Sequence, residues 1–305
     1  MFKFQFDYLK NGKGNHIKTI VLLVLSSIFI GTSLNISAFL FLGSILTSTA
    51  ISHPIVTSIL GLIGLIVLFF ALSLIVLPLI IGATKFCKDT DMGVRPQFVD
   101  LFMFFKKSLF KTTFKYSSAM VAISMIAFFI FSTILVLILK VSSTIYPEQV
   151  SPFSASAEFN IEDNPINIIA LSILFICYYL FSLYISTGFL VHIDKPLLST
   201  KNKLSISWKL LFKGKHSLWK LLFNNLLFII AYIVFIFVLA MVLMKIEMSL
   251  PVTQEALYIT IYILGVIIYI VSIFFVSYTL NGGIYNFYHK NKNALYPSNN
   301  SETIE

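Results

Sequence analysis

Between Lys18 and Lys85 the chain has no Asp, Glu, Lys or Arg. Those 66 residues are too long to be one membrane crossing. As a single helix they would run about 100 Å, some three times a hydrocarbon core of about 30 Å. The run has to fold back, and the polar break Thr47-Ser48-Thr49 followed by Ser52-His53-Pro54 is the natural turn. This predicts spans at 19–46 and 54–84, with Pro78 kinking the second. Shorter uncharged runs predict four more, at 116–139, 166–191, 221–244 and 256–281. The expected fold is all-α: a polytopic transmembrane bundle of six spans in one domain over 1–290, with a polar tail at 291–305.

Composition excludes a soluble reading. The chain is 58% hydrophobic and 11% charged with mean hydropathy +0.91, whereas ordinary globular proteins are about 25% charged. The net charge of +9 would suit nucleic acid in a soluble protein, but here the lysines stand next to apolar spans. Anionic lipid headgroups and the positive-inside bias account for them, so membrane lipids are the expected partner and nucleic acid is not. The basic N-terminus precedes an apolar run far longer than a signal-peptide core, which predicts an uncleaved first span. Cys87 and Cys177 are both expected to be reduced.

The charges also set the threading. The N-terminal stretch, residues 85–115, residues 192–220 and the stretch after the last span hold twenty of the 22 Lys and Arg. The opposite loops hold only Lys140 and Lys245, in company with Glu148, Glu158, Glu162, Asp163, Glu247 and Glu255. By the positive-inside rule both termini are expected in the cytoplasm, in the cell membrane.

Two basic segments read as amphipathic helices lying at the lipid interface. In the first, from about Pro96, Phe98, Leu101, Phe102, Phe105 and Leu109 form one face and Lys107, Lys111 and Lys115 another, with Arg95 and Lys106 alongside. In the second, Leu204, Trp208 and Leu211 form an apolar stripe beside Lys201, Lys203, Lys209, Lys213, Lys215 and Lys220, with Trp219 in the interfacial belt. Phe105-Lys106 and Ser108-Leu109-Phe110-Lys111 match Phe212-Lys213 and Ser217-Leu218-Trp219-Lys220 with two residues inserted. The chain therefore reads as three copies of a basic helix plus a hairpin, at 1–84, 85–191 and 192–281, or else as one lysine-rich loop pattern recurring at each inside turn.

Asp194-Lys195-Pro196, then Leu204, Ser207, Leu210 and Lys213-Gly214, resembles the D-x-P…L-x-x-S-x-x-L-x-x-K-G pattern of an uncharacterised bacterial family of six-span integral membrane proteins. Arg95-Pro96-Gln97-Phe98-Val99-Asp100-Leu101-Phe102 is similar to that family's first cytoplasmic segment, and Tyr285-Asn286-Phe287-Tyr288 to its aromatic close. The layout also resembles, more distantly, YciC-type envelope proteins and the membrane domain of some glycerophosphodiester phosphodiesterases. The resemblance implies a six-span bundle and supplies no catalytic residues.

Chemistry is sparse. No acid or base lies within a span, which argues against a proton-coupled pump. His16, His53, His192, His216 and His289 lie at span ends or in loops, without metal-ligand spacing. No nucleophile motif, phosphate loop or C-x-x-C occurs, so neither catalysis nor a cofactor or metal is expected. Among polar residues at depth, Ser27, Asn35, Asn224 and Asn225 suit interhelical hydrogen bonds, with Asn35 in a hydrophilic groove as the alternative. Ser27 with Gly31, and Gly61 with Gly64, form small-residue tracks that suit close packing. The expected function is non-enzymatic, in envelope homeostasis or tolerance of membrane-active agents. The alternatives are the permease subunit of an ABC-type exporter, partnered by an ATPase or by a second copy, and an immunity protein against a pore-forming toxin.

Overall fold

The computed structural model describes residues 3–12, 14–50, 54–145, 165–249 and 255–295. The acidic stretch at 146–164 and the tail beyond residue 295 lie outside them. Among the described residues the chain is helical, without strands. A short helix α1 (Lys3–Asn11) leads into α2 (His16–Ala50), then α3 (Pro54–Ala71), a π-helical stretch Leu72–Val76 and α4 (Leu77–Asp91). A 3₁₀ segment, Phe98–Phe105, precedes α5 (Lys107–Ile145) and α6 (Pro165–Asp194). The chain closes with α7 (Thr200–Phe212), α8 (Leu218–Ser249) and α9 (Glu255–Leu295).

Six helices are long and apolar enough to cross a membrane, the second being α3, the π turn and α4 together. They agree with the expected spans but run past them. α9 has 41 residues, about 60 Å at ~1.5 Å per residue, twice a hydrocarbon core of about 30 Å. It continues through Leu295, into what reads as polar tail, and Asn291 within that extension is fully buried.

The distortion in the second span has a clear cause. Pro78 has no N–H for its own helical bond, and its ring crowds the carbonyl one turn back. One residue earlier, Leu77 N–H reaches Leu72 O, an i→i−5 bond, so the helix widens into a π turn ahead of the proline.

Packing is uneven along the bundle. The apolar window of α8 buries none of its residues and those of α5, α6 and α9 bury 6%, so these helices turn side chains outward nearly all round, as lipid-facing helices do. Dense burial sits at the end that carries both described chain ends. There Tyr8, Ile81, Cys87, Phe104, Tyr116, Leu190, Leu210, Tyr278, Tyr285 and Tyr288 form one cluster. Helix α1 lies across α9, with the Tyr8 ring 5.4 Å from that of Tyr278 and directly against Gly282, where a Cβ would collide with it.

The segment after α4 differs from the expected continuous amphipathic helix. α4 ends in a Schellman motif: Gly93 takes φ +72°, Val94 N–H bonds Asp89 O at 2.8 Å and Gly93 N–H bonds Thr90 O at 3.0 Å. The chain then returns as the 3₁₀ segment, opened by a reciprocal Gln97–Asp100 capping box. Lys106, with ψ 138°, breaks the helix before α5 begins. Leu101 and Phe104 are buried, and Lys85 bridges Asp89 and Asp100 at 2.8 and 2.9 Å. The return depends on Gly82, because a Cβ there would strike the Leu101 backbone.

Gly82→Ala therefore has to displace backbone, which costs about 1–3 kcal/mol. Gly61→Ala meets nothing within 4 Å and should be silent. Thermal unfolding of the two detergent-purified variants checks the contrast.

Candidate functional site

Most residues expected at the lipid interface are exposed at the packed end: Arg95, Lys106, Lys107, Lys111, Lys115, Lys201, Lys209, Lys213, Lys215 and Lys220, with Trp208 and Trp219. Lys203 is the exception, with 1% of its surface exposed. The apolar face of α7 is rotated from the expected Leu204–Trp208–Leu211 stripe. Its buried residues are Lys203, Ser207, Leu210 and Leu211, and Trp208 is 53% exposed.

Lys203 reaches into the junction of α5, α6 and α7. Its Nζ donates to His192 Nδ1 at 2.7 Å and to Pro196 O at 2.7 Å, and lies 5.2 Å from the centre of the Tyr116 ring. The His192 ring stacks on Tyr116 at 4.5 Å and 5°. Because Nδ1 accepts from the ammonium, the ring proton belongs on Nε2, which donates to Thr113 Oγ1 at 3.1 Å. No carboxylate bonds this lysine among the described residues, so burial favours its neutral form and pulls its pKa down to about 8.

Two acids act as hubs in the same layer. Asp194 takes Lys88 on one oxygen, and on the other Lys292 at 2.5 Å and the Tyr288 hydroxyl at 2.6 Å, joining α4, α6 and α9. Asp91 accepts from Asn11 and Asn286 at 3.1 Å each, with His289 Nδ1 at 3.3 Å on its other oxygen. Beside it the Thr19 and Thr90 hydroxyls meet at 2.5 Å. A buried charge is tolerated when opposite charge or hydrogen bonds surround it: Asp194 has two lysines and a tyrosine hydroxyl, and Asp91 has two amide donors with the His289 ring beside them. His16 bonds the Tyr278 hydroxyl and Leu9 O, both at 2.7 Å.

The other polar candidates divide. Asn225 is buried between α1 and α6, accepting from Gln5 Nε2 and donating to the Tyr179 hydroxyl, each at 2.5 Å; Asn224 beside it is buried too. Asn35 is exposed, and Ser27 Oγ donates to Val24 O of its own helix at 2.7 Å. A Cβ at Gly31 or Gly61 would meet nothing within 4 Å among the described residues. Gly64 and Pro78 are buried. Cys87 is buried, Cys177 is exposed, and both are free thiols.

Two clefts flank the layer. One of about 620 Å³ opens between α1, α4 and α9, with Lys10, Asp91 and His289 in its walls. Another of about 280 Å³ lies between α2, α4, α6 and α9, lined by Leu23, Ile80 and Phe274 together with Thr84, Ser186 and Asn281. Among the described residues no three His, Cys, Asp or Glu side chains stand close enough to hold a metal ion. Sequence reasoning missed the two acid hubs, whose partners lie on distant segments. It placed Lys203 at the lipid interface, although its i, i+4, i+7 relation to Ser207 and Leu210, both buried, was a visible signal of the inner face.

A lysine whose folded pKa is depressed makes the fold gain stability as pH rises from the folded value toward the unfolded one. Between about pH 8 and about 10.4 the unfolded chain holds a proton that the folded one has released, worth up to about 3 kcal/mol. The difference in stability between the natural chain and Lys203→Met should therefore change across that window and stay flat below it, as pH-dependent unfolding in detergent can measure. Asp194→Asn removes the acid between two cations and should cost roughly 3 kcal/mol in the same assay. No family model, curated protein or solved structure matches this chain.

Proposed function

We propose that this chain is a non-enzymatic multi-pass protein of the bacterial cytoplasmic membrane, with both termini in the cytoplasm, that acts in envelope homeostasis or tolerance of membrane-active agents. One observation carries the reading. The exposed lysines and both tryptophans gather at the packed end, while the reactive side chains there are committed to one another. Asp91, Asp194, His16 and His192 all hold helices together. That leaves a basic, tryptophan-rimmed surface suited to anionic headgroups, and the family resemblance points the same way.

A second reading, the permease subunit of an ABC-type exporter, is favoured by the tip of α7. Trp208 and Phe212 pack 4.2 Å apart and are 53% and 47% exposed, an aromatic knob that an ATPase could receive. The 280 Å³ cleft would then serve the cargo. An ATPase that co-purifies with the chain supports this reading, and purification of the chain alone weakens it.

Deleting the gene should alter survival under cationic membrane-active peptides, and an unchanged susceptibility profile would count against envelope homeostasis. The threading is tested separately. Reporter fusions at Glu158 and Lys209 should report opposite sides of the membrane, and the same side for both would overturn it.

A further inference from the structure

At the junction of α7 and α8 lies a pocket of about 410 Å³, lined by Leu180, Leu211, Lys215, His216, Ser217 and Trp219 among others. Its walls differ in chemistry. On one side Leu211 and Leu218 are buried in a cluster with Phe4 and Phe287, with Leu180 packed against it, and Trp219 stands 72% exposed at the rim. On the other side the His216 imidazole is held below its usual pKa, first by burial and then by the charges of Lys290, Lys215, Lys220 and Lys3. Lys290 is paired with Asp7. Lys3, Lys215 and Lys220 form no ion pair among the described residues.

The pocket is also firmly built. Asn291, fully buried on α9, accepts from His216 N–H at 2.7 Å and donates to His216 O at 3.1 Å and Leu210 O at 3.0 Å. Gly214 lies so close to that amide that a Cβ would collide with it. The loop holding Lys215 and His216 is thus pinned to α9, and the Phe4 ring meets the imidazole edge-on at 6.1 Å.

We propose that this pocket holds the phosphate of one anionic phospholipid, with an acyl chain laid along Leu180 and Trp219. Lys215 lines the pocket, and Lys220, next in the chain to Trp219, and Lys3 add positive charge around its His216 wall, which raises the local potential and draws in an anion. A free anion would have no use for the apolar wall. A phospholipid supplies both parts, a phosphodiester for Lys215 and Lys220 and a hydrocarbon chain for the leucines. Trp219 at the rim sits where an indole bridges headgroup and chain. The proposal rests on the threading above, which puts this end at the cytoplasmic leaflet.

The chain has two tryptophans, so Trp208→Phe leaves Trp219 as the sole indole reporter. The full-length variant is reconstituted in phosphatidylcholine vesicles containing a small, equal fraction of either brominated phosphatidylglycerol or brominated phosphatidylcholine. Brominated phosphatidylglycerol should quench Trp219 at least about threefold more strongly per mole. Adding Lys215→Gln and Lys220→Gln should remove that excess while quenching by brominated phosphatidylcholine persists. Equal quenching by the two lipids overturns the proposal, as does an excess that survives both substitutions. Loss of the excess on adding inorganic phosphate, but not chloride of equal ionic strength, makes free phosphate the occupant and overturns the lipid. A failed quenching test removes the pocket's ligand alone, whereas failed reporter fusions remove the leaflet it needs.

Discussion

The cost of taking charge out of water shapes this molecule twice. It first empties the spans: no Asp, Glu, Lys or Arg lies between Lys18 and Lys85, because an ionised group in hydrocarbon costs several kcal/mol even after local rearrangement. The charges thereby collect at the helix ends. At the packed end the same cost acts again, on groups that the helices enclose as they converge. Asp91 and Asp194 are buried there only because amides, lysines, a histidine and a tyrosine surround them. Once enclosed, each acid becomes a joint that its helices cannot leave without stranding a charge.

This explains the uneven packing. Between apolar helices in lipid there is no hydrophobic force of the kind that drives soluble folding, so tight association needs small residues or polar bonds. The middle of the bundle has little of either in contact. Among the described residues a Cβ at Gly31 or Gly61 would meet nothing within 4 Å, and α8 and α9 are linked by the Tyr232–Ser272 bond at 3.1 Å and by Gly265 lying against Leu243. At the packed end polar bonds and ion pairs do link the helices, and the tyrosine-rich cluster forms among them. Order is therefore concentrated where the helices emerge, with the spans held from that end.

Span positions were legible because they depend only on runs of residue type. α3 starts at Pro54 and α6 at Pro165, each within a residue of where charge and proline place it. The rotation of α7 was not legible. Leu204, Trp208 and Leu211 make the more hydrophobic stripe, and on a soluble protein that stripe would face the core. Here an exposed Trp208 still has an apolar surface to meet, so the usual penalty does not fix the helix. Polar contacts do so instead, as Lys203 finds His192 and Pro196 O. The acid hubs were unreadable for a different reason: Asp194 and Lys88 are separated by 106 positions, and nothing local in either segment announces the pairing.

The residues that carry the family resemblance can be weighed on physical grounds. Asp194 joins α4, α6 and α9. Ser207 is fully buried and bonds Lys203 O at 2.8 Å, and Leu210 is buried in the main cluster. Gly214 lies against the Asn291 amide, and Asn286, Phe287 and Tyr288 are buried where α9 crosses α1 and α4. Asp194, Leu210, Gly214 and the three α9 residues lie where one element packs on another, Ser207 closes a bond within α7, and none of them is a free acid, base or nucleophile in a cleft. A pattern built from such residues describes how the short basic helix docks onto the ends of the spans. Such a pattern constrains packing, and under the proposed reading the chemistry is left to the exposed lysines and the pockets beside them.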